Sequence, residues 1–304
     1  MSTSTIPTTT PTAAVLAQMA DAFNNGSPLQ LADCFAVDGV LVHPMFGRVE
    51  GRSNILAAET SLFDAFTEIH FDIQRLIEGP EWSAARYVIR ARQSQDIPLP
   101  TGDVVISQGT LIEVVGVEVF RVDADGLIAE SHRYQDTGAM FAALSTGDDL
   151  LAGPLHAAAR VTPIGAAPDA AANVGAVKDA YELSDLVAIG KCYTVDAVLV
   201  HPMAGQLVGR AAIAEAEGML VNCFSDIEFR IERVIQDGWW AAAELTVSAT
   251  HTGALPRPDG TMIEPTGHRI VDHVLQMFLL APDGAMAYAE RIFDTAALLR
   301  SLLS

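Results

Sequence analysis

The hexapeptide Val40-Leu41-Val42-His43-Pro44-Met45 returns as Val198-Leu199-Val200-His201-Pro202-Met203, 158 residues later. The same offset relates Cys34 to Cys192, Asp38 to Asp196, Gly51-Arg52 to Gly209-Arg210, Glu59 to Glu217, Phe120 to Phe278 and Asp136 to Asp294. It runs without a gap from about Ala14 and Ala172 to the end of each half. An ungapped repeat of this length is one domain written twice, so the chain must fold as two copies of one architecture. Half of the 304 residues are hydrophobic, enough for each copy to bury a core of its own. We assign copy one to residues 13–145 and copy two to residues 172–304. A polar, disordered tail at 1–12 and an Ala/Gly/Pro-rich linker at 146–171 account for the rest.

A formal charge of −20 argues against nucleic acid and anionic membrane surfaces as partners, because both would be repelled. No apolar run approaches the ~20 residues of a membrane-spanning helix. The N-terminus lacks the basic and apolar regions of a signal peptide, and a cytoplasmic location is expected. Three cysteines make no disulfide framework, and Cys34 and Cys192 sit in apolar contexts that suit small buried side chains. There is no clustered Cys/His ligand set, Gly-rich phosphate loop or dinucleotide fingerprint, so neither a metal nor an organic cofactor is expected.

Within each copy the hydrophobic period switches in the same order. "AVLAQMADAF", "LQLADCF" and "GRSNILAAETSLFDAF" read as helices, with the strand "GVLVHP" set between the second and third. Long strands follow: "IHFDIQRLI", "WSAARYVIRARQ", "TLIEVVGVEVFRV" and "LIAESHRYQD". The predicted fold is α+β, two tandem cones, each a curved antiparallel sheet over three helices with a pocket between the layers.

This order, together with "THTG" at Thr250–Gly253, "PTGHR" at Pro265–Arg269 and "FDTAALLRSL" at Phe293–Leu302, resembles the nuclear transport factor 2-like superfamily (a cystatin-like cone). The resemblance covers nearly all of both copies, and its nearest branch is the SnoaL-like polyketide and ester cyclases. Relatives in this superfamily include isomerases, cyclases, hydrolases, dehydratases and non-catalytic binders, so the fold does not decide the activity.

The resemblance implies roles for particular residues. In ketosteroid isomerase-like members the first strand ends in a proton-shuttling acid followed by proline, and His43 and His201 stand at that place here. An imidazole suits proton transfer near neutral pH. Glu118 lies in a strand apolar on both faces, where burial favours its protonated form, and it matches an acid that donates to an enolate in the isomerases. Gln276 replaces it in copy two. The tyrosine that completes that oxyanion hole is missing, Met19 and Val177 standing near its place. His251 ends an apolar row of Leu245, Val247 and Ala249 and matches a cyclase histidine, with Asp272 or His273 as its polar partner; copy one has Gln93 there. The last strand carries His132 and Tyr134 in copy one against Glu290 and Ile292 in copy two. His70 and Glu228 lie 27 residues after His43 and His201, and the pairs His43/His70 and His201/Glu228 stand where the resemblance to two-domain epoxide hydrolases implies an Asp/Glu pair.

Four features have structural readings. Asp136 and Asp294 suit helix caps, and Arg52 and Arg210 suit anchors for the turn before a helix. Glu59 and Glu217 are expected to be solvated or paired to an arginine. Trp82 and Trp239-Trp240 suit a core or an interface. The expected activity is cofactor-free acid–base chemistry on a hydrophobic carbonyl compound of polyketide, steroid or terpenoid type: isomerisation, aldol-type cyclisation or elimination. The alternatives are epoxide opening and non-catalytic binding of an apolar ligand. The two copies are expected to pack as an intrachain pseudo-dimer and to have diverged pockets.

Overall fold

The computed structural model describes residues 10–98, 104–151, 165–257 and 261–303. Residues 1–9 of the expected tail and 152–164 of the expected linker lie outside them. The chain divides into two units, Met1–Pro154 and Leu155–Ser304.

The first unit runs α1 (Pro11–Asn24), α2 (Pro28–Asp33), β1 (Phe35–His43), β2 (Gly47–Glu50), α3 (Arg52–Ala65), β3 (Phe66–Glu78), β4 (Ser83–Gln93), β5 (Ile97–Pro98), β6 (Val104–Val105), β7 (Leu111–Val122), β8 (Ile128–Gln135) and α4 (Thr137–Thr146). The second repeats it as α5 (Ala170–Glu182), α6 (Leu186–Lys191), β9 (Tyr193–His201), β10 (Gly205–Val208), α7 (Arg210–Cys223), β11 (Phe224–Asp237), β12 (Trp240–His251), β13 (Leu255–Pro256), β14 (Met262–Ile263), β15 (Arg269–Leu280), β16 (Met286–Ile292) and α8 (Thr295–Leu303). The main sheets have the orders β2-β1-β8-β7-β4-β3 and β10-β9-β16-β15-β12-β11.

The α+β reading stands, with two corrections. The sheets are mixed, because β1 runs parallel to β8 and β9 to β16. Strands joined by hairpins must run antiparallel, whereas β1 and β8 are separated by the whole meander and carry no such constraint. Each unit also has a fourth helix after its last strand.

The local chemistry explains the boundaries. Thr10, Ser27, Asp169 and Asp185 cap four helices with side-chain oxygens. Asp136 caps α4 through the amides of Gly138 and Ala139, and Asp294 accepts from the Ala296 amide at the start of α8. Arg52 and Arg210 each donate from Nε to the first residue of β1 and β9, the carbonyls of Phe35 and Tyr193, both at 2.8 Å. They anchor the turn, as expected.

Each sheet carries a bulge near the start of its outer long strand, β3 or β11. The β3–β4 register slips between Thr67 and His70, and β11–β12 slips between Ser225 and Glu228. Glu68 and Asp226 sit in these bulges with φ of 53° and 51°, left-handed values that side chains other than glycine rarely adopt. Regular alternation would send Phe224 and Ile227 to opposite faces. The bulge lets both face inward.

Core packing differs between the copies at matched volume. In copy one the rings of Phe23, Phe71 and Tyr87 stack at 4.7 and 4.6 Å. Tyr87 needs Gly116 opposite it, since a Cβ there would fall 2.4 Å from the phenol ring. Copy two places Leu245 and Val274 at these positions, trading ring volume for a larger neighbour.

Candidate active site

Each unit has an apolar cavity between helices and sheet. The cavity of copy two measures about 120 Å³ and that of copy one about 70 Å³. In copy two the polar wall residues are Tyr181, His201, Glu217, Asp272, Gln276 and Arg291. In copy one they are His43, Arg133 and Gln135. No carboxylate is among the described residues that line the smaller cavity.

The repeated "VLVHPM" places its histidine on each wall. After β1 and β9 the chain turns at His-Pro, and the turn's own amides fold back on the ring. Nδ1 of His43 accepts the Met45 N–H at 3.1 Å. Nδ1 of His201 accepts those of Met203 and Ala204 at 3.2 and 3.3 Å. A backbone N–H can only donate, so Nδ1 offers its lone pair and the proton of each neutral ring resides on Nε2. Both rings are 3% exposed, and His201 Nε2 is buried with no hydrogen-bond partner. Burial, reinforced by Arg133, holds His43 well below the usual histidine range. Burial, reinforced by Arg291, brings His201 down to about 4. Each histidine is therefore a neutral N–H donor at physiological pH. This revises the expected proton shuttle, because a base needs the lone pair that Nδ1 has already committed.

Under each cavity lies a buried ion cluster. In copy two Arg291 Nη1 meets the two carboxylate oxygens of Glu217 at 2.9 and 3.1 Å. Its Nε and Nη2 donate to Gln276 Oε1 at 3.2 Å, and Nη2 reaches the Tyr181 hydroxyl oxygen at 3.4 Å. Burial alone would raise the Glu217 carboxyl, but the Arg291 guanidinium prevails and holds it below the usual range. The Tyr181 hydroxyl is hydrogen-bonded to Glu217. In copy one Arg133 faces two carboxylates, Glu59 at 2.9 Å and Glu118 at 3.4 Å, and Glu118 also accepts from the Ser131 hydroxyl at 2.6 Å. Here burial, with help from Glu118, pushes the Glu59 carboxyl up despite Arg133.

Several expected site residues lie elsewhere. Glu118 is buried but does not line the cavity; it holds Arg133 from behind. Gln276 does line its cavity, yet its Oε1 is committed to Arg291 and its Nε2 donates to Met286 Sδ at 3.0 Å. His251 is fully buried off the wall, its Nδ1 taking the Thr266 N–H at 3.2 Å, so it is not joined to Asp272. His273 falls on the opposite face of β15 from Asp272 and contacts the Thr246 hydroxyl. His132 and Tyr134 also take the outer parity of their strand, His132 beside Trp82 and Glu130, while Arg133 and Gln135 face inward. His70 and Glu228 are exposed, with Glu228 bound to Arg269 at 2.6 Å, because Ile69, Phe71 and Ile73 take the inner face of β3. Met19 is core, 0% exposed. The tyrosine sought near Val177 does exist in copy two, one helical turn later at Tyr181. Sequence reasoning passed over Arg133 and Arg291, an arginine repeated at the 158-residue offset on β8 and β16.

Residues 16–131 and 174–288 match the SnoaL-like domain. No curated protein matches the chain in sequence. Among solved structures, TsrD from Streptomyces laurentii is 20% identical over 43% of this chain and 92% of its own, with a TM-score of 0.38. A candidate SnoaL-like polyketide cyclase from a Jannaschia species is 17% identical over 46% and 95%, with a TM-score of 0.40. An LEH-like epoxide hydrolase from Mycobacterium tuberculosis is 19% identical over 44% and 89%, with a TM-score of 0.35. The domain match falls once in each copy and covers most of the chain, so this protein belongs to the SnoaL-like family.

Proposed function

We propose that copy two is the catalytic half of an acid–base enzyme acting on a hydrophobic carbonyl compound of polyketide, steroid or terpenoid type. One observation carries this reading: a single apolar cavity is lined by both the buried, neutral His201 and the Asp272 carboxylate. Asp272 removes a proton from the carbon beside the substrate carbonyl. The electron pair of that C–H bond passes into the C–C bond of the enolate, and charge gathers on oxygen. His201 Nε2–H hydrogen-bonds that oxygen, a role a neutral imidazole fills without becoming an acid itself. Asp272 then returns the proton to another carbon, which is isomerisation; or the enolate carbon bonds to a second carbonyl carbon of the same molecule, the C=O π pair moves onto that oxygen, and the alkoxide takes the proton back from Asp272, which is cyclisation.

Glu217 and Arg291 neutralise one another beside the reaction centre. An uncharged substrate therefore meets no unbalanced buried charge except the base.

The test is α-proton exchange in D2O. The full chain is incubated with a panel of polycyclic ketones and deuterium uptake is followed by mass spectrometry. Asp272→Asn is expected to lower exchange by ~10²–10⁴-fold, the usual contribution of a positioned base. His201→Phe is expected to cost ~10²-fold or more, the usual worth of one oxyanion donor. Binding without exchange in the wild type would make this a carrier of apolar ligands. Undiminished exchange in Asp272→Asn would remove the assigned base.

A further inference from the structure

The cavity of copy one is not a smaller version of that of copy two; its described lining, with His43, Arg133 and Gln135 as the polar groups, lacks the carboxylates Glu217 and Asp272 of the other wall. At the position of Asp272 copy one has Val114, so the base is gone. At the position of Tyr181 it has Phe23, and at the position of Gln276 it has Glu118. These last two exchanges free the guanidinium. Arg291 spends Nη2 on Gln276 and Tyr181, whereas Nη2 of Arg133 is buried with no hydrogen-bond partner. Arg133 lines the cavity beside His43, whose proton is on Nε2 because Nδ1 takes the Met45 amide. Copy one therefore presents donors from two buried side chains and no carboxylate.

We infer that copy one is a second ligand site, one that holds a neutral ketone by its oxygen without abstracting a proton. The charge of the cluster argues for a neutral guest. Arg133 is already flanked by Glu59 and Glu118, so a carboxylate ligand would bring a third negative charge against one guanidinium. A carbonyl oxygen adds no charge and satisfies the unpartnered N–H, whose burial is otherwise costly. Size narrows the guest further. The 70 Å³ cavity is a little over half the volume of its 120 Å³ counterpart, so copy one takes the smaller guest. The guest of copy one is a monocyclic ketone or the cyclic end of a longer one.

The experiment uses cyclohexanone labelled with 13C at the carbonyl, titrated into the full chain and read by NMR. The wild type should show two bound carbonyl environments, both shifted downfield by hydrogen bonding. Ala91 and Ala249 are matched wall residues, 2% exposed in each copy. Ala91→Phe should erase one environment and Ala249→Phe the other, with folding checked by circular dichroism. Met140→Trp, on α4, serves as the copy-one block if Ala91→Phe does not fold. In the Ala249→Phe protein the remaining bound ketone should show no α-deuteration above the uncatalysed rate. One bound environment in the wild type that persists in the copy-one block, or no binding at all, overturns the inference. Exchange catalysed by Ala249→Phe refutes the claim that copy one lacks a base. Loss of exchange in Asp272→Asn, with both environments kept, is the separate mark of the copy-two reading.

Discussion

Arg291 and Glu217 form an ion pair whose removal has a calculable cost. In Arg291→Met the aliphatic stem is kept while the charge is lost, leaving the 1%-exposed Glu217 without its counterion. A buried, unpaired carboxylate protonates instead of remaining charged. For a group of ordinary pKa near 4.3, doing so at pH 7 spans about 2.7 units at about 1.4 kcal/mol each, roughly 4 kcal/mol. That agrees with the ~3–5 kcal/mol usually lost when one partner of a buried pair is deleted. The sign of the pH dependence follows from the two carboxyl states. In the wild type Glu217 is held below its usual range, so its contribution is present above the unfolded value and lost as pH falls through the folded one. In Arg291→Met the carboxyl is raised, so its stability is complete below the unfolded value and lost as pH rises. The gap between the two proteins should thus be small near pH 4 and widen by about 1.4 kcal/mol per unit above it. Urea unfolding between pH 4.5 and 7.5 measures it. A Trp82→Phe background leaves only Trp239 and Trp240, both in copy two, as the fluorescent reporters. A gap that does not change with pH, or that stays under about 1 kcal/mol at pH 7, would refute the reasoning.

Two further outcomes test the neighbouring groups. Glu59 is raised by burial and by Glu118, so copy one loses stability as pH rises through the folded value of that carboxyl; in a Trp239→Phe, Trp240→Phe background, where Trp82 is the sole tryptophan, Glu118→Gln should flatten this loss in urea titrations followed by fluorescence, and an unchanged slope would disprove the coupling. His201 is depressed to about 4, so its stability is complete above an unfolded value near 6.5 and falls by about 1.4 kcal/mol per unit below it, roughly 3 kcal/mol by pH 4. His201→Phe should abolish that acid-side loss, and imidazole 15N shifts should show Nε2 protonated at pH 7; a titration midpoint above pH 6 would contradict both.

Much of the fold was legible because repetition supplies its own control. The 158-residue offset located two copies, and periodicity located nearly every long strand. The parallel β1–β8 pairing was not legible, since a strand's direction relative to a distant neighbour leaves no periodic trace. The site was legible where turn chemistry is local: His-Pro followed by a short turn and Gly47 or Gly205 brings backbone amides onto the imidazole. It was illegible where parity decides. On β8, His132 and Tyr134 draw attention by residue type, yet a shift of one residue hands the cavity to Arg133 and Gln135. The bulge at Glu68 has the same effect on any count made along β3.

Comparing the copies separates what the fold requires from what a site can change. Arginine 133/291, glutamate 59/217 and histidine 43/201 are identical in both, and all are buried or nearly so. Removing any one would strand a buried charge or leave the amides of the His-Pro turn without an acceptor, so these groups are held by the cost of losing them. The exchanges lie around them and come in matched sets. Glu118 against Gln276 changes the charge of the cluster by one unit, and Phe23 against Tyr181 changes whether the guanidinium finds a further acceptor. Together they decide whether the arginine is saturated or keeps a donor for a guest. On the proposed mechanism, Val114 against Asp272 then decides whether that guest meets a base. Because the cluster is shared while its rim is not, one copy can keep the binding geometry and lose the chemistry without any change in the scaffold that supports both.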